Sequence, residues 1–403
     1  MGNNLLNVWA TVGSVALAVL MLLVMITVHE FGHYVAGKIL RFKIDEFSIG
    51  FGPALFKRKS KKTGELFALR LIPLGGYCAF AGEDGLEEDK KKQEAEPFGE
   101  LKEEPAAPQE PVAAEEKKEE DKLGYFTRKK PWQRIIVLLA GAFMNYVLAV
   151  LLIITCFFAY GQTMNKITGI APTENSAELT YSFQEGDILL KVAGRNIYMA
   201  TDIASAINYK KAGDMVEFLV GRDGKEEKIS IMLREDVVVK NSSAMSTVWK
   251  ALGVGIEERE DGKKYFMLTD EAYRFGFFET LGRSFAYSGK IAGSIFRVLG
   301  ELLTGKIGIS SLGGPVTTIT TTSKIVSMGF RYFLEIAGFI GVNLAVFNLL
   351  PIPALDGSKV VFTLIEWVRG KPISRKVEAI IHGVGFILLL GFAVLVDILQ
   401  FVL

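Results

Sequence analysis

The stretch ALAVLMLLVMITVHEFGHYVA, residues 16–36, joins a long apolar run to two histidines and a glutamate. An α-helix needs about 20 apolar residues to cross a bilayer. The apolar run begins near residue 8, so we predict a first transmembrane helix over residues 8–36, in a segment of residues 1–40. Ionisable side chains inside such a helix are costly and usually serve a function. The second half of this helix is therefore the first place to look for chemistry.

The motif HEFGH, residues 29–33, predicts a metal site on this helix. His29 and His33 are four residues apart, so they share one face of a helix. Two imidazoles so placed can bind one Zn²⁺ ion, with Glu30 beside it as the general base of a hydrolase. In the alternative interpretation, the helix ends near Val28 and the three residues lie among lipid headgroups. The mostly apolar run of residues 31–36 favours the metal site.

The composition separates into apolar and charged parts. Half of the 403 residues are hydrophobic and 23% are charged. Residues 135–160, 332–350 and 379–403 are also apolar enough to cross a bilayer, so we predict a polytopic α-helical membrane protein with four transmembrane helices. The net charge of +1 gives no indication of a nucleic-acid partner. Cys78 and Cys156 have neither zinc-knuckle nor disulfide spacing, and we interpret both as packing residues.

The basic residues of the loops predict the orientation. Lysines and arginines follow the first span over residues 38–62, precede the second over 128–134, and separate the last two over 359–376. The positive-inside rule places these segments in the cytoplasm. Both termini and the stretch between the second and third spans are then extracytoplasmic. HEFGH lies toward the cytoplasmic end of the first helix.

The first cytoplasmic loop has two parts. Residues 41–82 are predicted to form a membrane-associated β-hairpin region, because residues 55–59 and 66–72 flank a Thr63-Gly64 turn. Residues 83–122 hold 16 acidic and 7 basic residues with few large apolar ones, a composition that buries too little surface to fold. We predict an acidic disordered linker over residues 83–124, and a docking tail for a basic partner is the alternative. The second helix follows, within residues 125–162.

The next stretch alternates short strands with one helical segment. QEGDILLKVAGRNI, residues 184–197, has the pattern of a turn, a strand and a second turn, and residues 201–210 suit a helix. MVEFLVGRDGKEEKISIML, residues 215–233, places two strands around an Asp223-Gly224 hairpin turn. This succession resembles a PDZ domain, which we assign to residues 163–240 outside the cytoplasm.

Residues 241–330 are predicted to form an extracytoplasmic linker with one amphipathic helix. Over residues 273–304, apolar side chains alternate with Arg283, Lys290 and Arg297. A helix lying on the outer membrane surface fits this pattern. A short helix packed on the PDZ domain is an equal alternative.

A catalytic zinc needs a third protein ligand and one open position. The best candidate is Asp356 in NLLPIPALDGS, which ends the third transmembrane segment, residues 331–357. The predicted topology brings Asp356 and HEFGH to the same cytoplasmic membrane depth. An Asp-Gly pair that only forms a turn is the alternative. His382, in the last segment of residues 358–403, is interpreted as a hydrogen-bonded helix residue rather than a fourth metal contact.

Together these motifs resemble the site-2 protease family of intramembrane zinc metalloproteases, in particular its bacterial single-PDZ branch. The resemblance covers almost the whole chain outside the acidic linker. It implies that His29, His33 and Asp356 bind zinc and that Glu30 is the catalytic base. It also implies that Asn343 and Asn348, on the third helix, hold the substrate backbone. A structural hydrogen bond between helices is the alternative for each amide.

Further runs fit this family. FSIGFGP, residues 47–53, and IPLGGY, residues 72–77, resemble its β region, where an exposed strand with Gly75 and Gly76 can pair with an extended substrate. AGAFMN, residues 140–145, resembles the second-helix motif, and LGGPV, residues 312–316, resembles the turn before the third helix. Departures from the usual family residues are Phe143, Ser358 and the pair Cys78-Ala79. They leave every proposed catalytic group in place and affect only loop geometry and substrate choice.

The resemblance implies a multi-pass protein of the bacterial inner membrane that works in regulated intramembrane proteolysis. Its substrates would be single-span membrane proteins such as anti-sigma factors or remnant signal peptides, already trimmed by another protease. The PDZ domain would then act as a size gate or docking site. Two other classes remain possible: a non-catalytic scaffold with structural zinc, which does not need Glu30, and a zinc transporter, which the scarcity of histidine and cysteine disfavours.

Overall fold

The computed structural model describes residues 2–83, 124–241, 244–259, 262–309 and 312–402. The predicted acidic linker lies outside these residues except at its two ends. The chain divides into two compact units, each described by itself. Unit 1 comprises Met1–Ala149, Gly313–Gly329 and Ile340–Leu403. Unit 2 comprises Val150–Leu312 and Phe330–Phe339.

Helices supply most of the regular structure. They are α1 (Gly2–Ile39), α2 (Pro131–Tyr160), α3 (Ser176–Thr180), α4 (Ala200–Ile207), α5 (Met245–Ala251), α6 (Phe277–Leu303), α7 (Pro315–Ser327), α8 (Phe330–Leu349), α9 (Asp356–Arg369) and α10 (Arg375–Val402). The strands are β1 (Ile44–Lys59), β2 (Leu66–Phe80), β3 (Gln162–Ile167), β4 (Ile188–Val192), β5 (Arg195–Asn196), β6 (Met215–Arg222), β7 (Lys225–Met232), β8 (Ile256–Glu258), β9 (Lys264–Phe266) and β10 (Leu268–Tyr273).

Four of the described helices are long and apolar enough to cross a membrane. The candidate spans are Val12–Ile39 in α1, Pro131–Tyr160 in α2, Phe330–Leu349 in α8 and Lys376–Gln400 in α10. They coincide with the four apolar segments predicted from the sequence, within a few residues at each end. Each apolar run reaches or exceeds the roughly 20 residues that a bilayer requires.

The hairpin of unit 1 is longer and more bent than the sequence predicted. Phe47 of β1 pairs with Cys78 on one side and with Phe67 on the other. The first half of β1 therefore lies in the middle of a small curled sheet, and residues 76–80 form one edge of it. Gly50 and Gly52, with φ of 85° and 82°, allow the sharp bend of β1 because glycine adopts positive φ without strain.

Polar contacts fasten this hairpin to α1. Glu65 is only 5% exposed, and its carboxylate accepts hydrogen bonds from Lys38 Nζ at 2.6 Å and Tyr34 Oη at 3.2 Å. A buried carboxylate needs such partners to offset its lost hydration. Within the hairpin, Arg70 donates to Ser48 and to Glu46. These bonds hold β1 and β2 beside the second half of α1.

Helix α7 follows the predicted Gly-Pro turn and begins against α10. Asp397 of α10 accepts hydrogen bonds from the backbone N–H groups of Val316 and Thr317 at 2.9 and 3.1 Å. A carboxylate at this position satisfies donors that a helix N-terminus leaves free. Ser323 of α7 is 2.9 Å from Ser14 of α1, oxygen to oxygen. Unit 1 thus packs α7 between two candidate spans.

Unit 2 is built around a six-stranded sheet with strand order β10-β3-β4-β6-β7, and β5 pairs with β4. The predicted hairpin is present, with Arg222 opposite Lys225 across the Asp223-Gly224 turn. Asp223 and Gly224 have φ of 49° and 77°, the positive values that a two-residue hairpin turn favours. The core of this sheet is apolar and includes Leu189, Val192, Ile203, Phe218 and Ile231.

The sheet continues beyond the boundary that the sequence suggested at residue 240. Strand β10 pairs antiparallel with β3, with Leu268 opposite Ile167. Val248 and Leu252, around α5, are buried in the same core. The domain therefore includes part of the segment predicted as a linker. Sequence patterns predict pairing between strands that are close together in the chain, whereas this pairing joins strands about a hundred residues apart.

Helix α6 packs on this sheet domain through one polar face, and it is longer than the short packed helix considered above. Arg283 is 1% exposed and donates to Gln162 Oε1 and to the Ile197 carbonyl, both at 2.7 Å. Its guanidinium also lies 3.8 Å from the ring centroid of Phe275. The opposite face leaves large apolar side chains exposed, namely Phe278, Phe285, Phe296 and Leu303.

Candidate active site

His29, His33 and Asp356 converge in unit 1 although more than 320 residues separate Asp356 from the two histidines in the chain. His29 Nε2 lies 2.9 Å from Asp356 Oδ2, and His33 Nε2 lies 3.2 Å from the same oxygen. The two Nε2 atoms are 3.2 Å apart. One ligand atom from each residue thus lies within 4.8 Å of the others. Both histidines are 7% exposed, so the cluster is shielded from bulk solvent.

The spacing of these atoms fits a tetrahedral metal ion. Zinc bonds of about 2.0–2.1 Å to nitrogen and oxygen imply ligand atoms about 3.4 Å apart. The three observed separations of 2.9–3.2 Å are slightly shorter than that value. Two imidazole nitrogens and one carboxylate oxygen are also a donor set that zinc accepts while keeping one position open.

Asp356 reaches the pair because the chain turns sharply after α8. Pro351 and Pro353 follow the end of that helix, and proline cannot continue a helix because it lacks an N–H group. Asp356 then begins α9. A Cβ on Gly357 would lie 2.3 Å from the Leu350 carbonyl oxygen, so only glycine allows the two segments to approach so closely.

Helix α2 orients one of the imidazoles. His33 Nδ1 lies 2.8 Å from the Val137 carbonyl oxygen, which accepts its hydrogen bond. This bond fixes the proton on Nδ1 and leaves the Nε2 lone pair free for a metal. The contact requires close packing, since a Cβ on Gly141 would lie 2.4 Å from His33 Nε2 and one on Gly32 would lie 2.3 Å from the Ala140 carbonyl oxygen.

Neither Val137 nor Gly141 carries a role predicted from the sequence. The signal near them is the AGAFMN run, residues 140–145, which resembles the second-helix motif of the family. A backbone carbonyl such as that of Val137 leaves no trace in the residue type. The small residues of the run, in contrast, are typical of closely packed membrane helices.

The two asparagines of α8 differ in their contacts. Asn348 Nδ2 lies 3.3 Å from His29 Nδ1, so this amide touches a candidate ligand directly. A metal on Nε2 of His29 would require its Nδ1 to carry the proton, and the Asn348 oxygen would then be the acceptor. Asn343 lies five residues earlier, which rotates it by about 140° around the helix. The two amides therefore do not project from the same side of α8.

Glu30 lies between the histidine pair and the edge of the hairpin sheet. It is half-buried, and a Cβ on Gly76 would lie 3.3 Å from its Cγ atom. The same Cβ would lie 2.9 Å from the Ser48 carbonyl oxygen, and one on Gly75 would overlap the ring of Phe51. The structure thus brings Gly76 close to Glu30, with Gly75 next to it in the chain. Glycines at these two positions allow Phe51 and Ser48 of β1 to pack directly against this backbone.

The Asp356 carboxyl is held in its charged form. Burial raises its pKa, but hydrogen bonds with His29 and His33 outweigh burial and hold the pKa well below the usual range. An ionised carboxylate is the form that binds a cation. Close by on α9, Lys359 Nζ forms a 2.7 Å ion pair with Glu83 at the end of the hairpin region.

His382 has the role expected of it. Its Nδ1 accepts a hydrogen bond from the Ala354 N–H at 3.0 Å. It lies outside the group of possible metal ligands found among the described residues. This bond instead holds α10 to the turn that precedes Asp356. Cys156 is buried and Cys78 is half-buried, both as free thiols.

Comparison with known proteins extends over nearly the whole chain. A family model described as peptidase family M50 matches residues 17–392. A putative zinc metalloprotease of Clostridium perfringens is 30% identical over 375 residues, covering 93% of this chain and 94% of that protein. A putative zinc metalloprotease of Brucella suis is 28% identical over 94% of this chain and 93% of its own length.

A third relative carries a more specific name. The regulator of sigma-W protease RasP of Bacillus subtilis is 29% identical over 416 residues, covering 91% of this chain and 93% of that protein. Among solved structures, the PDZ domain of an SdrC-like protein from Listeria monocytogenes matches 28% of this chain and 88% of its own, with 14% identity and a TM-score of 0.16. At that TM-score the likeness adds nothing to the sheet topology described above.

Proposed function

Because the chain belongs to peptidase family M50, we propose that it is a zinc-dependent endopeptidase that cleaves the transmembrane segments of single-span membrane proteins. The observation that carries the proposal is the convergence of His29, His33 and Asp356 within 4.8 Å. This cluster adjoins a glutamate on a helix apolar enough to span a membrane. Groups of this kind inside a membrane segment are retained for function.

We assign His29, His33 and Asp356 as the zinc ligands. The donor set, the spacing of the three atoms and the Val137 bond to His33 all suit a zinc ion. When bound there, zinc supplies a Lewis acid that polarises carbonyl groups and makes water more acidic. The relatives named zinc metalloproteases support the same choice of metal.

Glu30 is the proposed general base. Its carboxylate accepts a proton from the attacking water and returns it to the nitrogen of the leaving amine. Its electrostatic neighbours are His29, His33 and Asp356, and this proximity supports the role of a general base. Both histidines are buried, and electrostatic interactions are stronger in such an environment than in bulk water.

The hairpin edge and α8 are proposed to hold the substrate. A peptide bond inside a helix must be unwound before water can attack it. Among the strands that the structure describes, residues 76–80 pair only with β1, and the other side of this edge, beside Glu30, is where an extended peptide would add as a further strand. Gly75 and Gly76 would lie along this peptide, and the amides of Asn343 and Asn348 would contact its backbone.

The proposed cellular setting follows the family. The protein would lie in the bacterial inner membrane with the hairpin region and α9 in the cytoplasm, as the basic loops suggest. The sheet domain would be an extracytoplasmic PDZ domain that excludes large ectodomains. Anti-sigma factors or remnant signal peptides, already cut once by another protease, would be its substrates, a choice that the name of the Bacillus subtilis relative supports.

The test compares Glu30→Gln, His33→Ala and Glu258→Gln with the wild-type protein in lipid nanodiscs. We expect wild type and Glu258→Gln to bind one zinc and cleave a model single-span protein. Glu30→Gln should bind zinc and leave the substrate intact, and His33→Ala should lose zinc and activity. Glu258→Gln is the matched control because it makes the same change as Glu30→Gln at an exposed glutamate outside the cluster. Full cleavage by zinc-loaded Glu30→Gln would overturn the mechanism and favour a structural zinc.

A further inference from the structure

Unit 2 contains a cavity of about 270 Å³ where two candidate spans meet the sheet domain. We call it the span-end cavity. Phe157 near the end of α2 and Glu335 near the beginning of α8 line it from the spans. Asp270 of β10 and Tyr287 of α6 line it from the sheet domain. Nothing in the proposed hydrolysis uses this cavity.

One buried polar group on its wall lacks a partner. Gln162 is 2% exposed, and its Oε1 accepts a hydrogen bond from Arg283 Nε. Its Nε2 has no hydrogen-bond partner among the described residues. Burying such a donor without a partner is costly, because the hydration that it loses is not replaced. A ligand that brings a carbonyl oxygen to the cavity would remove this cost.

The charge of the cavity wall is negative. Among its lining residues are two carboxylates, Asp270 and Glu335, and no lysine or arginine. Glu335 already bonds to Thr163 Oγ1 at 2.5 Å and to Arg331 Nε at 3.3 Å. Asp270 is exposed and forms no ion pair within the described part of the chain. Its carboxylate is therefore available to a cation.

The remaining walls suit a long aliphatic side chain. Phe157, Met164 and Ile197 contribute apolar surface. Tyr287 contributes a hydroxyl, and burial together with Glu335 raises the pKa of Tyr287 to about 12, so it remains a neutral donor at ordinary pH. Lysine and arginine combine an apolar stem with a charged end, which matches apolar walls with a carboxylate at the rim.

We propose that the span-end cavity binds a lysine or arginine side chain of the substrate, with a backbone carbonyl of the same segment on Gln162. This inference rests on the proposed function, because only a membrane-protein substrate runs past the span ends at this level. Tyr160 ends α2 and Phe330 begins α8, so the bound residue would lie just outside the substrate's transmembrane segment. The cavity would then help to set which proteins are cleaved and in which register.

The position of such a basic residue would help the protein to recognise its substrates. Lysine and arginine are enriched on the cytoplasmic side of membrane proteins and are less frequent outside. With the sheet domain outside, as proposed, a basic residue next to the span would distinguish substrates from most other single-span proteins. The charge-assisted bond to Asp270 would be stronger than one between neutral groups.

The test measures binding separately from cleavage. Full-length Glu30→Gln protein in nanodiscs would be titrated with a model single-span substrate that carries one lysine, or glutamine in its place, at each of the first six extracytoplasmic positions. We expect one or two positions at which lysine binds about tenfold more tightly than glutamine. Asp270→Lys should abolish that preference and favour glutamate at the same position. Glu258→Lys, an exposed charge reversal in the same unit that lies outside the cavity lining, is the matched control and should keep the preference for lysine.

The possible results separate this inference from the proposed function. Equal binding of lysine and glutamine substrates at every position would overturn the cavity inference, even if the wild-type protein cleaves them. A preference for lysine that survives Asp270→Lys would overturn it as well. Position-dependent binding of lysine without any cleavage by zinc-loaded wild type would support the cavity and count against the proposed protease.

Discussion

His33 on α1 donates a 2.8 Å hydrogen bond from Nδ1 to the carbonyl oxygen of Val137 on α2. One helix thus supplies the imidazole and another sets its orientation. Bonds of this type decide which ring nitrogen is free to bind a metal. The precision of the candidate site therefore depends on how closely α1 and α2 pack.

The first prediction concerns the glycine that permits this packing. Gly141→Ala would place a Cβ 2.4 Å from His33 Nε2, so the imidazole must shift. We expect zinc affinity to fall by roughly 10- to 100-fold, in the range seen when partners of metal ligands are disturbed. Zinc retained during dialysis against graded chelator concentrations measures the effect, and cleavage of a model substrate should fall in parallel.

Gly383→Ala on α10 is the control for this substitution. A Cβ there meets nothing within 4 Å, so the same chemical change in another candidate span should leave zinc binding unaltered. Wild-type zinc affinity in Gly141→Ala would show that the close approach of α2 does not orient the ligands.

The second prediction separates the two asparagines of α8. Asn348 contacts His29 Nδ1 at 3.3 Å, whereas Asn343 projects from another side of the helix. Asn348→Ala should lower zinc affinity about tenfold, because a hydrogen-bonded partner of a metal ligand is lost. Asn343→Ala should leave zinc affinity unchanged and raise KM if the amide holds substrate. Chelator competition and steady-state kinetics on both variants provide the comparison. Equal zinc affinities in the two variants would argue that Asn348 serves the substrate alone.

Much of the candidate site could be read from the sequence because its signals are local. Two histidines at i and i+4 share a helix face whatever the rest of the fold does. The position of Asp356 in the site follows from the end of an apolar segment and a proline-rich turn, and one short run of sequence contains both features. The family predicted from these motifs is confirmed by the match over residues 17–392.

The parts of the fold that the sequence does not predict depend on contacts between residues that are far apart in the chain. The pairing of Leu268 with Ile167 joins strands on either side of the predicted domain boundary, and no periodicity encodes it. The double pairing of Phe47, with Cys78 and Phe67, follows from a bend at Gly50 and Gly52 that a simple hairpin pattern does not contain. Strand patterns specify faces of a sheet, whereas the order of strands depends on the whole fold.

The third prediction concerns Arg283, which joins α6 to the sheet domain. Its guanidinium donates to Gln162 Oε1 and to the Ile197 carbonyl and lies over the ring of Phe275. Arg283→Leu leaves two buried acceptors unsatisfied, so we expect a loss of about 2–4 kcal/mol in the stability of this packing. Hydrogen exchange of the full-length protein should show faster exchange of α6 amides, while α2 is unchanged.

Arg297→Leu provides the comparison for this effect. Arg297 lies on the same helix but is exposed, so its replacement should alter α6 exchange little. Similar exchange rates in the two variants would mean that α6 is held by its apolar contacts rather than by Arg283.

The last prediction is a pH dependence at the hairpin edge. Burial raises the pKa of the Cys78 thiol, and the carboxylates of Glu30, Glu83 and Glu65 raise it further. Only the thiolate reacts with maleimides, and an ordinary thiol has a pKa of about 8.5. Alkylation of Cys78 in a Cys156→Ser background should therefore rise about tenfold per pH unit from pH 7 to beyond pH 9.

The control protein carries Cys78→Ser and Ser176→Cys in the same Cys156→Ser background. Its new thiol is exposed, so its alkylation rate should level off near pH 8.5. Restricted access of the reagent would slow the alkylation of Cys78 at every pH without changing the pH at which the rate levels off. Glu30→Gln should shift the Cys78 profile to lower pH because one carboxylate is removed. An alkylation rate of Cys78 that levels off near pH 8.5, or that is unchanged by Glu30→Gln, would contradict the close approach of this edge to Glu30.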